Sequence, residues 1–430
     1  MQKAFLTFFI TISFIQCIFA QEFELIGTYQ SEGTIFDIQV IGNYAYLASG
    51  DAGFEIVDIS EPENPVQVVS YSIDKSAQLI FIENEHTYIY FASLQDTFGV
   101  AVFDITDLKY IKYLGSYYPA NQVRDIAAAD TLLFLACMNT GLEIVNVSSP
   151  ANPVLLSTVE APELYTSTEY LFINPPYCYT SCSSDKMGGA AQVVNISNPV
   201  NPIVEYEFKT RIFSDLIVVD SVGYIASPDR SSIFNVYNLS TPSNPIRLGQ
   251  YQIDKDEAIK SIYDICIVND YAFLLFNWNQ TIIRIDIVDM SDPNNPSFAG
   301  IYNPENNVNC LDCSDDFIFL GAEHNLQIIK YAPAEVGQNN SDSIQTNLKT
   351  VYPNPFGPTS RISFSLGHQS HTKISIYNIT GQLVTVIADS SFSAGYHSID
   401  WYDSEARSGM YYVNMKTPEV NITKKRVFLK

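Results

Sequence analysis

Apolar and polar positions alternate at period two through most of the chain, and no stretch keeps a helical period. Near the N-terminus, Asp37-Ile38-Gln39-Val40 leads through Gly42-Asn43 into Tyr44-Ala45-Tyr46-Leu47-Ala48. Gly-Asn between two alternating runs is hairpin chemistry. Gly53 then precedes Phe54-Glu55-Ile56-Val57, and a fourth run follows from Val66 to Tyr71. The pattern predicts four antiparallel strands within roughly 45 residues, a period typical of propeller blades.

The unit repeats. Its third strand runs into Val57-Asp58-Ile59-Ser60-Glu61-Pro62-Glu63-Asn64-Pro65, and this phrase returns at Val145–Pro153, Val194–Pro202, Val236–Pro245 and Val288–Pro296. Degenerate copies stand at Phe103-Asp104-Ile105-Thr106-Asp107 and Ile328-Ile329-Lys330-Tyr331. The fourth strand has its own mark: Leu114-Gly115-Ser116-Tyr117, Leu248-Gly249-Gln250-Tyr251 and Ala299-Gly300-Ile301-Tyr302. Leu25-Ile26-Gly27-Thr28-Tyr29 carries that mark with no first three strands before it, while the unit from Val308 to Tyr331 lacks a fourth. The two ends complement each other. Residues 22 to 29 complete the last unit and hide both sheet edges. The expected fold is all-β: a seven-bladed β-propeller over residues 21–331, closed by its N-terminal strand. An open solenoid is the alternative, and it leaves two raw edges.

The recurring Ile-Val-Asp-Ile-Ser-x-Pro-x-Asn-Pro phrase resembles the LVIVD repeat family of extracellular bacterial and archaeal proteins. The resemblance covers roughly residues 22 to 331, with repeats two and seven departing from it. It implies an architecture and no general activity.

Residues 332–348 are polar and aperiodic and read as a linker. Beyond them, Arg361–Leu366, Lys373–Tyr377, Gln382–Ile387, Met410–Met415 and Ile422–Leu429 alternate as strands do, with Ile379-Thr380-Gly381 as a hairpin turn. Five or six short strands predict a small Ig-like β-sandwich over 349–430. Val351-Tyr352-Pro353-Asn354-Pro355-Phe356 opens this segment, Tyr377–Gly381 lies in its middle, and Ser393-Ala394-Gly395-Tyr396-His397 precedes Trp401. Ser408-Gly409-Met410-Tyr411-Tyr412 follows, and Lys424-Lys425-Arg426-Val427-Phe428-Leu429-Lys430 comes last. The segment resembles the type A sorting domain of the type IX secretion (Por) system of Bacteroidota and related phyla. The resemblance implies handling by the outer-membrane secretion machinery and removal while the passenger is anchored or released. It implies a sorting signal in Tyr352 to Phe356, Gly381, Gly395, Gly409, Lys424, Lys425 and Arg426.

The chain start fits export. Lys3 precedes an apolar run from Ala4 to Ile15, and Ile18-Phe19-Ala20 ends in a small residue before Gln21. Residues 1–20 read as a signal peptide for Sec-dependent passage to the periplasm. The run is short for a membrane anchor, and no later stretch has the ~20 apolar residues a spanning helix needs. The expected location is the extracellular space or the outer-membrane surface, and the protein is expected not to be transmembrane.

Charge sharpens this picture. The chain has 430 residues, with 23 Lys+Arg against 47 Asp+Glu, a net charge of −24. With 47% hydrophobic and 13% aromatic residues it is no disordered acidic chain. A polyanion would be repelled, so nucleic acid is excluded as a partner. The charge divides unevenly: residues 349–430 sum to +4 and residues 1–348 to −28.

Candidate chemistry is sparse. Asp37, Asp125, Asp215 and Asp264 begin the innermost strand of four blades; Tyr170 and Cys310 hold that place in two others, and Leu79 or Ile80 in repeat two. Two roles fit the aspartates: a cation site such as Ca²⁺ at the channel mouth, or capping of backbone N–H groups on the next blade. The second is favoured. Loops after the second and fourth strands vary widely, among them Leu94–Gly99, Ser181–Ala190, Ser227–Ser232, Phe276–Thr281, Glu160–Ser167 and Asp254–Ser261, and all fall on one face. Tyr165, Lys186, Asp229, Arg230, Trp278 and His324 lie in or beside them as candidate ligand contacts.

Six cysteines follow the signal peptide: Cys137, Cys178, Cys182, Cys266, Cys310 and Cys313. Register suggests Cys266–Cys310 and Cys137–Cys182 as possible disulfides. Cys310-Leu-Asp-Cys313 has CxxC spacing without a second pair, so buried thiols are favoured over a zinc or redox site. His86 and His324 are the only histidines before the tail, no G-x-S-x-G elbow occurs, and no spacing singles out a carboxylate pair. No catalytic residue and no metal ligand set is assigned. The expected function is a secreted or surface-displayed binding or scaffold module, with a glycan or a protein as its ligand and no cofactor. The alternatives are a polysaccharide hydrolase or lyase, and an adhesin or surface-layer component.

Overall fold

The computed structural model describes residues 22–332 and 346–428, apart from 84–85, 93–97, 164, 185–187, 211–214, 220, 227–232, 243, 253–261, 269, 279–281, 305, 315–316, 353–358, 379–380, 394 and 403–408. The signal-peptide residues lie outside the described residues. The last propeller strand ends at Ala332, and the first tail strand begins at Asn347.

Seven four-stranded antiparallel sheets form the blades. Blades 1 to 6 span 37–71, 76–117, 123–159, 167–210, 215–252 and 262–302, each with its strands in chain order from the channel outward. Blade 7 takes three strands from 308–332 and its outermost from Glu22–Gln30. That N-terminal strand pairs from Glu22↔Ala332 to Gln30↔Asn325. The ring closes by strand pairing, as the complementary ends predict.

Middle strands are buried on both faces because blades pack face to face. Phe54, Glu55, Ile56 and Val57 are all buried, so the period-two pattern becomes a continuous run there. Each core cluster spans two blades. Phe54 and Ile56 of blade 1 meet Ile80, Ile89 and Phe103 of blade 2, and Ile38 and Leu47 of blade 1 meet Phe319 and Ile328 of blade 7.

The recurring phrase is a turn held by its own side chains. The Asp58 carboxylate accepts from Ser60 N–H at 2.9 Å, Asn146 from Ser148 at 2.8 Å and Asp289 from Ser291 at 2.8 Å. The residue between them points inward: Ile59, Val147 and Met290 are buried. The prolines then carry a tight turn, in which Asn64 N–H donates to Glu61 O at 2.8 Å and Asn152 N–H to Ser149 O at 2.8 Å.

The fourth-strand mark and this turn meet across the blade boundary. A Cβ on Gly115 would sit 2.0 Å from the Pro150 carbonyl oxygen of the next blade, and one on Gly27 would sit 1.9 Å from that of Pro62. Blade 3 has Ser157 at this place, and its hydroxyl donates to Pro199 O at 2.6 Å. Two residues beyond the glycine, the tyrosine reaches a buried carboxylate on the third strand of the next blade. Tyr29 OH donates to Glu55 Oε1 at 2.7 Å, Tyr117 OH to Glu143 Oε2 at 2.7 Å and Tyr251 OH to Asp286 Oδ2 at 3.4 Å. Glu55, Glu143 and Asp286 are fully buried. Glu55 also accepts from Ser31 Oγ, from Ser49 Oγ at 2.5 Å and from Glu32 N–H at 3.2 Å. Burial first, then the glutamate hydrogen bond, pushes the phenols of Tyr29 and Tyr117 up. Blade 2 has Ala101 at the carboxylate position, and there Tyr71 stacks on Phe54 at 5.5 Å and meets Phe103 edge-on at 4.9 Å.

The disulfide expectation is corrected: all six cysteines are free and buried. Cys310 packs in the core between blades 7 and 1 while Cys266 packs between blades 6 and 7, and Cys137 faces blade 2, away from blade 4, so neither expected pair shares an interface. Cys182 instead faces Thr168 and Thr180 of its own blade, and burial pushes its thiol up to about 11. Cys266 meets Cys313 rather than Cys310. The CxxC spacing divides its cysteines. Cys310 packs with Ile35 and Phe319 on one side of the strand and Cys313 with Cys266 and Phe273 on the other, so the two do not converge.

The tail is a two-layer β-sandwich. Asn347–Tyr352, Thr359–Leu366 and Gly395–Tyr402 form one sheet; Leu383–Phe392, Ser370–Asn378, Gly409–Lys416 and Asn421–Phe428 form the other, in that spatial order. Ile362, Phe364 and Trp401 of the first meet Ile374, Ile376, Val413 and Met415 of the second. Seven strands replace the five or six expected. The two extra ones, Asn347–Tyr352 and Gly395–Tyr402, stand beside polar, proline- and serine-rich sequence that masks their alternation. Gly381 has φ 79° and its N–H donates to Asn378 O at 2.9 Å, while Ile379 and Thr380 of the expected turn lie outside the described residues.

Gly115→Ala is expected to destabilise the propeller by about 1–3 kcal/mol, the usual cost of overpacking against backbone. A shift in the urea midpoint, with Ser116→Ala as a neighbouring control, measures it. Titration in denaturant is expected to count every cysteine after residue 20 as a free thiol; a shortfall would show a disulfide.

Candidate functional site at the channel mouth

The innermost strands line the channel, and each begins on the face that bears the variable loops. The sequence places aspartates there, and the structure shows how they are spent. Asp37 Oδ1 accepts from its own following Ile38 N–H at 2.9 Å, while Oδ2 accepts from Ile80 N–H of the next blade at 2.9 Å. Asp125 does the same with Ile126 at 2.8 Å and Leu171 at 2.8 Å, and Asp264 with Ile265 at 2.9 Å and Leu311 at 2.8 Å. Cys310 cannot serve in blade 7, and Asp312 takes over two residues later, bridging Cys313 at 2.7 Å and Val40 of blade 1 at 2.7 Å. Each carboxylate bridges adjacent inner strands, as capping requires. Asp215 opens the inner strand of blade 5 opposite Ala226, and its side chain lies outside the described residues.

The residue before each clamp takes the mouth. Inner strands carry a β-bulge between Ala77/Leu79, Val123/Asp125, Thr168/Tyr170, Ile262/Asp264 and Val308/Cys310. This also settles repeat two, where Leu79 holds the aspartate's place. A bulge twists the strand and re-aims the extra side chain. The extra residues are Gln78, Arg124, Glu169, Tyr263 and Asn309. Blade 1 has Phe36 at the same place, its N–H donating to Ala48 O at 2.9 Å. Phe36 is 43% exposed and Tyr263 52%, whereas Ile35 and Ile262 just before them are fully buried.

These residues converge. Arg124 Nε lies 3.4 Å from Glu169 Oε2, and Ser183 Oγ donates to Glu169 Oε1 at 2.7 Å. Asn309 Nδ2 donates to Ile35 O at 2.9 Å. The Tyr263 phenol is raised by the walls around it, then by Asp264, the Cys310 thiol and Asp37, while Arg124 lowers it. Blade 6 thus feels charges from blades 1 and 3 across the channel. At the outer rim of the same face, Lys75 Nζ lies 4.4 Å from the Phe91 ring centroid and 5.9 Å from that of Tyr118. A cleft of about 250 Å³ beside it is lined by Asp51, Ser72, Ile73, Asp74 and Lys75.

Other sequence candidates are dispersed. Tyr165 is half-buried and donates to Gly189 O at 3.3 Å. His324 is exposed, and its carbonyl accepts from Ser31 N–H at 3.0 Å. Trp278 ends its strand opposite Ile282, with its side chain outside the described residues, as are Lys186, Asp229 and Arg230. The expected loop Ser181–Ala190 is mostly strand: Tyr177–Ser184 and Gly188–Asn195 pair out to Ser184↔Gly188. In the tail, Tyr352 pairs with Arg361, Gly395 with Leu366 and Gly409 with Phe428, while Lys424, Lys425 and Arg426 lie along the last strand opposite Val413, Tyr412 and Tyr411. Pro353 to Phe356 fall outside the described residues. Among the described residues no group of three or more His, Cys, Asp or Glu is placed to hold a metal ion, and no helix is long and apolar enough to cross a membrane.

Asp125→Ala leaves two amides without their acceptor and is expected to cost about 1–3 kcal/mol. Thermal melts read this directly. Chelation with EDTA is expected to leave the wild-type melting temperature unchanged, whereas a calcium role for the aspartates requires a fall.

Solved structures share the propeller. The chain is similar to the β-propeller domain of Cps50 (Swd1) from Myceliophteria thermophila, with 12% identity over 70% of this chain and 98% of that one and a TM-score of 0.56. It is similar to the WD40 propeller domain of Doa1, with 13% identity over 72% and 97% and a TM-score of 0.53. The designed protein Ika8 matches with 9% identity over 72% and 99% and a TM-score of 0.51. At these identities the likeness shows the fold alone. No curated protein matches the chain. The LVIVD repeat model matches residues 32–73, 120–161 and 261–304, in blades 1, 3 and 6, where the phrase and the aspartate clamp coincide. The model of the secretion system C-terminal sorting domain matches residues 350–429, the sandwich. The chain thus carries LVIVD repeats in its β-propeller and, after it, a type IX secretion sorting domain, which indicates export to the cell surface or the extracellular space.

Proposed function

We propose that this protein is an extracellular binding module: a rigid propeller that offers the mouth of its channel to a ligand outside the cell, delivered there by its tail. One observation carries the proposal. The recurring Asp, Gly and Tyr positions are fixed by structural contacts, yet the bulged position at the mouth differs in each described blade. Rigid scaffolds with variation confined to one face are built for recognition. Sec-dependent passage precedes handling of residues 349–430 by the secretion machinery, and the last strand, from Asn421, carries Lys424, Lys425 and Arg426 of the sorting signal.

Binding without turnover is favoured over catalysis. Three of the inner-strand aspartates spend both oxygens on amide donors of adjacent strands, a structural use that accounts for their recurrence without catalysis. Glu169 is engaged by Arg124 at 3.4 Å and by Ser183 Oγ at 2.7 Å, and among the described residues no second carboxylate is paired with it there.

Two measurements test this. Deleting 349–430 is expected to leave the propeller in the periplasm, read by fractionation and protease accessibility of intact cells; continued surface display would sink the sorting role. The full chain is then screened for retention and for turnover on one panel of extracellular glycans and proteins. Retention with no product supports a binding module, and product release would establish the hydrolase or lyase instead.

A further inference from the structure

The mouth position stands apart in a chain where repetition means structure. Aspartate, glycine and tyrosine recur because each makes the same contact in each blade. The bulged position recurs as a place but not as a residue, so no packing requirement sets its identity.

Its chemistry is specific. Phe36 and Tyr263 come from blades 1 and 6, which flank blade 7, and each ring is about half-exposed beside a buried neighbour. The ring of Phe36 lies against Gly50, where a Cβ would come within 2.9 Å of it. Gly50 thus makes room for the ring at the rim. Blades 3 and 4 contribute the Arg124–Glu169 pair, fixed by Ser183, at the same strand position elsewhere on the ring. Gln78 adds an amide from blade 2. Apolar faces on one side and a fixed donor–acceptor pair on the other fit a ligand with one C–H face and a rim of hydroxyls.

We propose that the mouth binds a neutral hexopyranose unit of an oligosaccharide. Phe36 and Tyr263 cover the C–H face of the sugar, and Arg124, Glu169 and Gln78 hydrogen-bond its hydroxyls. The inference rests on the binding-module proposal and names the ligand class and the contacts. An anionic sugar is disfavoured by Asp37, Asp264 and the −28 of residues 1–348. A purely apolar ligand would strip water from a charged pair and an amide without replacing it. A folded protein partner needs about 800 Å² per side, more than this small ring of side chains offers.

The test uses the full chain on an array of neutral gluco-, manno- and galacto-oligosaccharides beside sialylated and sulfated ones. Calorimetry on the best neutral probe follows with Tyr263→Ala, Phe36→Ala and Arg124→Gln. Tyr110→Ala, a fully exposed aromatic in a turn of the opposite face, is the control. Retention on the neutral arm is expected, with affinity down about tenfold for each ring variant, the scale of one lost aromatic contact, and unchanged for Tyr110→Ala. Melting temperatures within a degree or two of wild type show that the variants are folded; Tyr263→Ala removes an exposed ring and keeps the proposal testable if Phe36→Ala unfolds. No retention on the neutral arm overturns the proposal, and so does retention that the Tyr263 and Arg124 variants leave intact. Retention of proteins or acidic glycans alone overturns the sugar class while leaving a binding module standing.

Discussion

A carboxylate buried in the middle of a sheet costs several kcal/mol unless donors surround it. Glu55, Glu143 and Asp286 are such carboxylates, and the tyrosine that answers each one belongs to the preceding blade. In blades 1 and 3 the answering phenol comes from the neighbour, and in blade 6 it joins Arg284 of the same strand as Asp286, whose Nε donates at 2.5 Å. Stability is therefore a property of neighbours, and because the last blade must serve the first, it is a property of the closed ring. The N-terminal strand occupies the point where this dependence is greatest. It supplies Tyr29, Ser31 and the amide of Glu32 to one glutamate, so pairing at the seam and burial of charge are a single event.

Much of this was legible in residues. The Asp-Ile-Ser phrase told of a turn because its side chains close it locally, and the complementary ends told of closure because strands are counted one by one. The Leu-Gly-x-Tyr mark was visible as a strand but not as a clamp. Its partners sit on another blade, and a one-dimensional pattern does not say which glutamate a tyrosine meets. The cysteines failed for the same reason. Equal register in neighbouring repeats looks like proximity, yet it turns equivalent thiols toward different blade interfaces.

The mouth shows a subtler failure, of one residue. The aspartates were found because they repeat, and repetition was what marked them as structural. The position before them was passed over because Phe36, Gln78, Arg124, Glu169, Tyr263 and Asn309 share nothing. A bulge has no composition of its own; it is a mismatch between two strands, seen only when both are aligned. Function here lies where the internal repeat breaks its own rule.

The direction of the seam strands has a mechanical meaning. Glu22 and Ala332 are paired, and both lie at the end of blade 7 away from the variable loops. The chain thus enters and leaves the ring at the end opposite the mouth. A tether drawn from Ala332 pulls on that end and leaves the opposite opening unobstructed. A hold on the trailing end therefore grips the ring at the end farthest from its mouth.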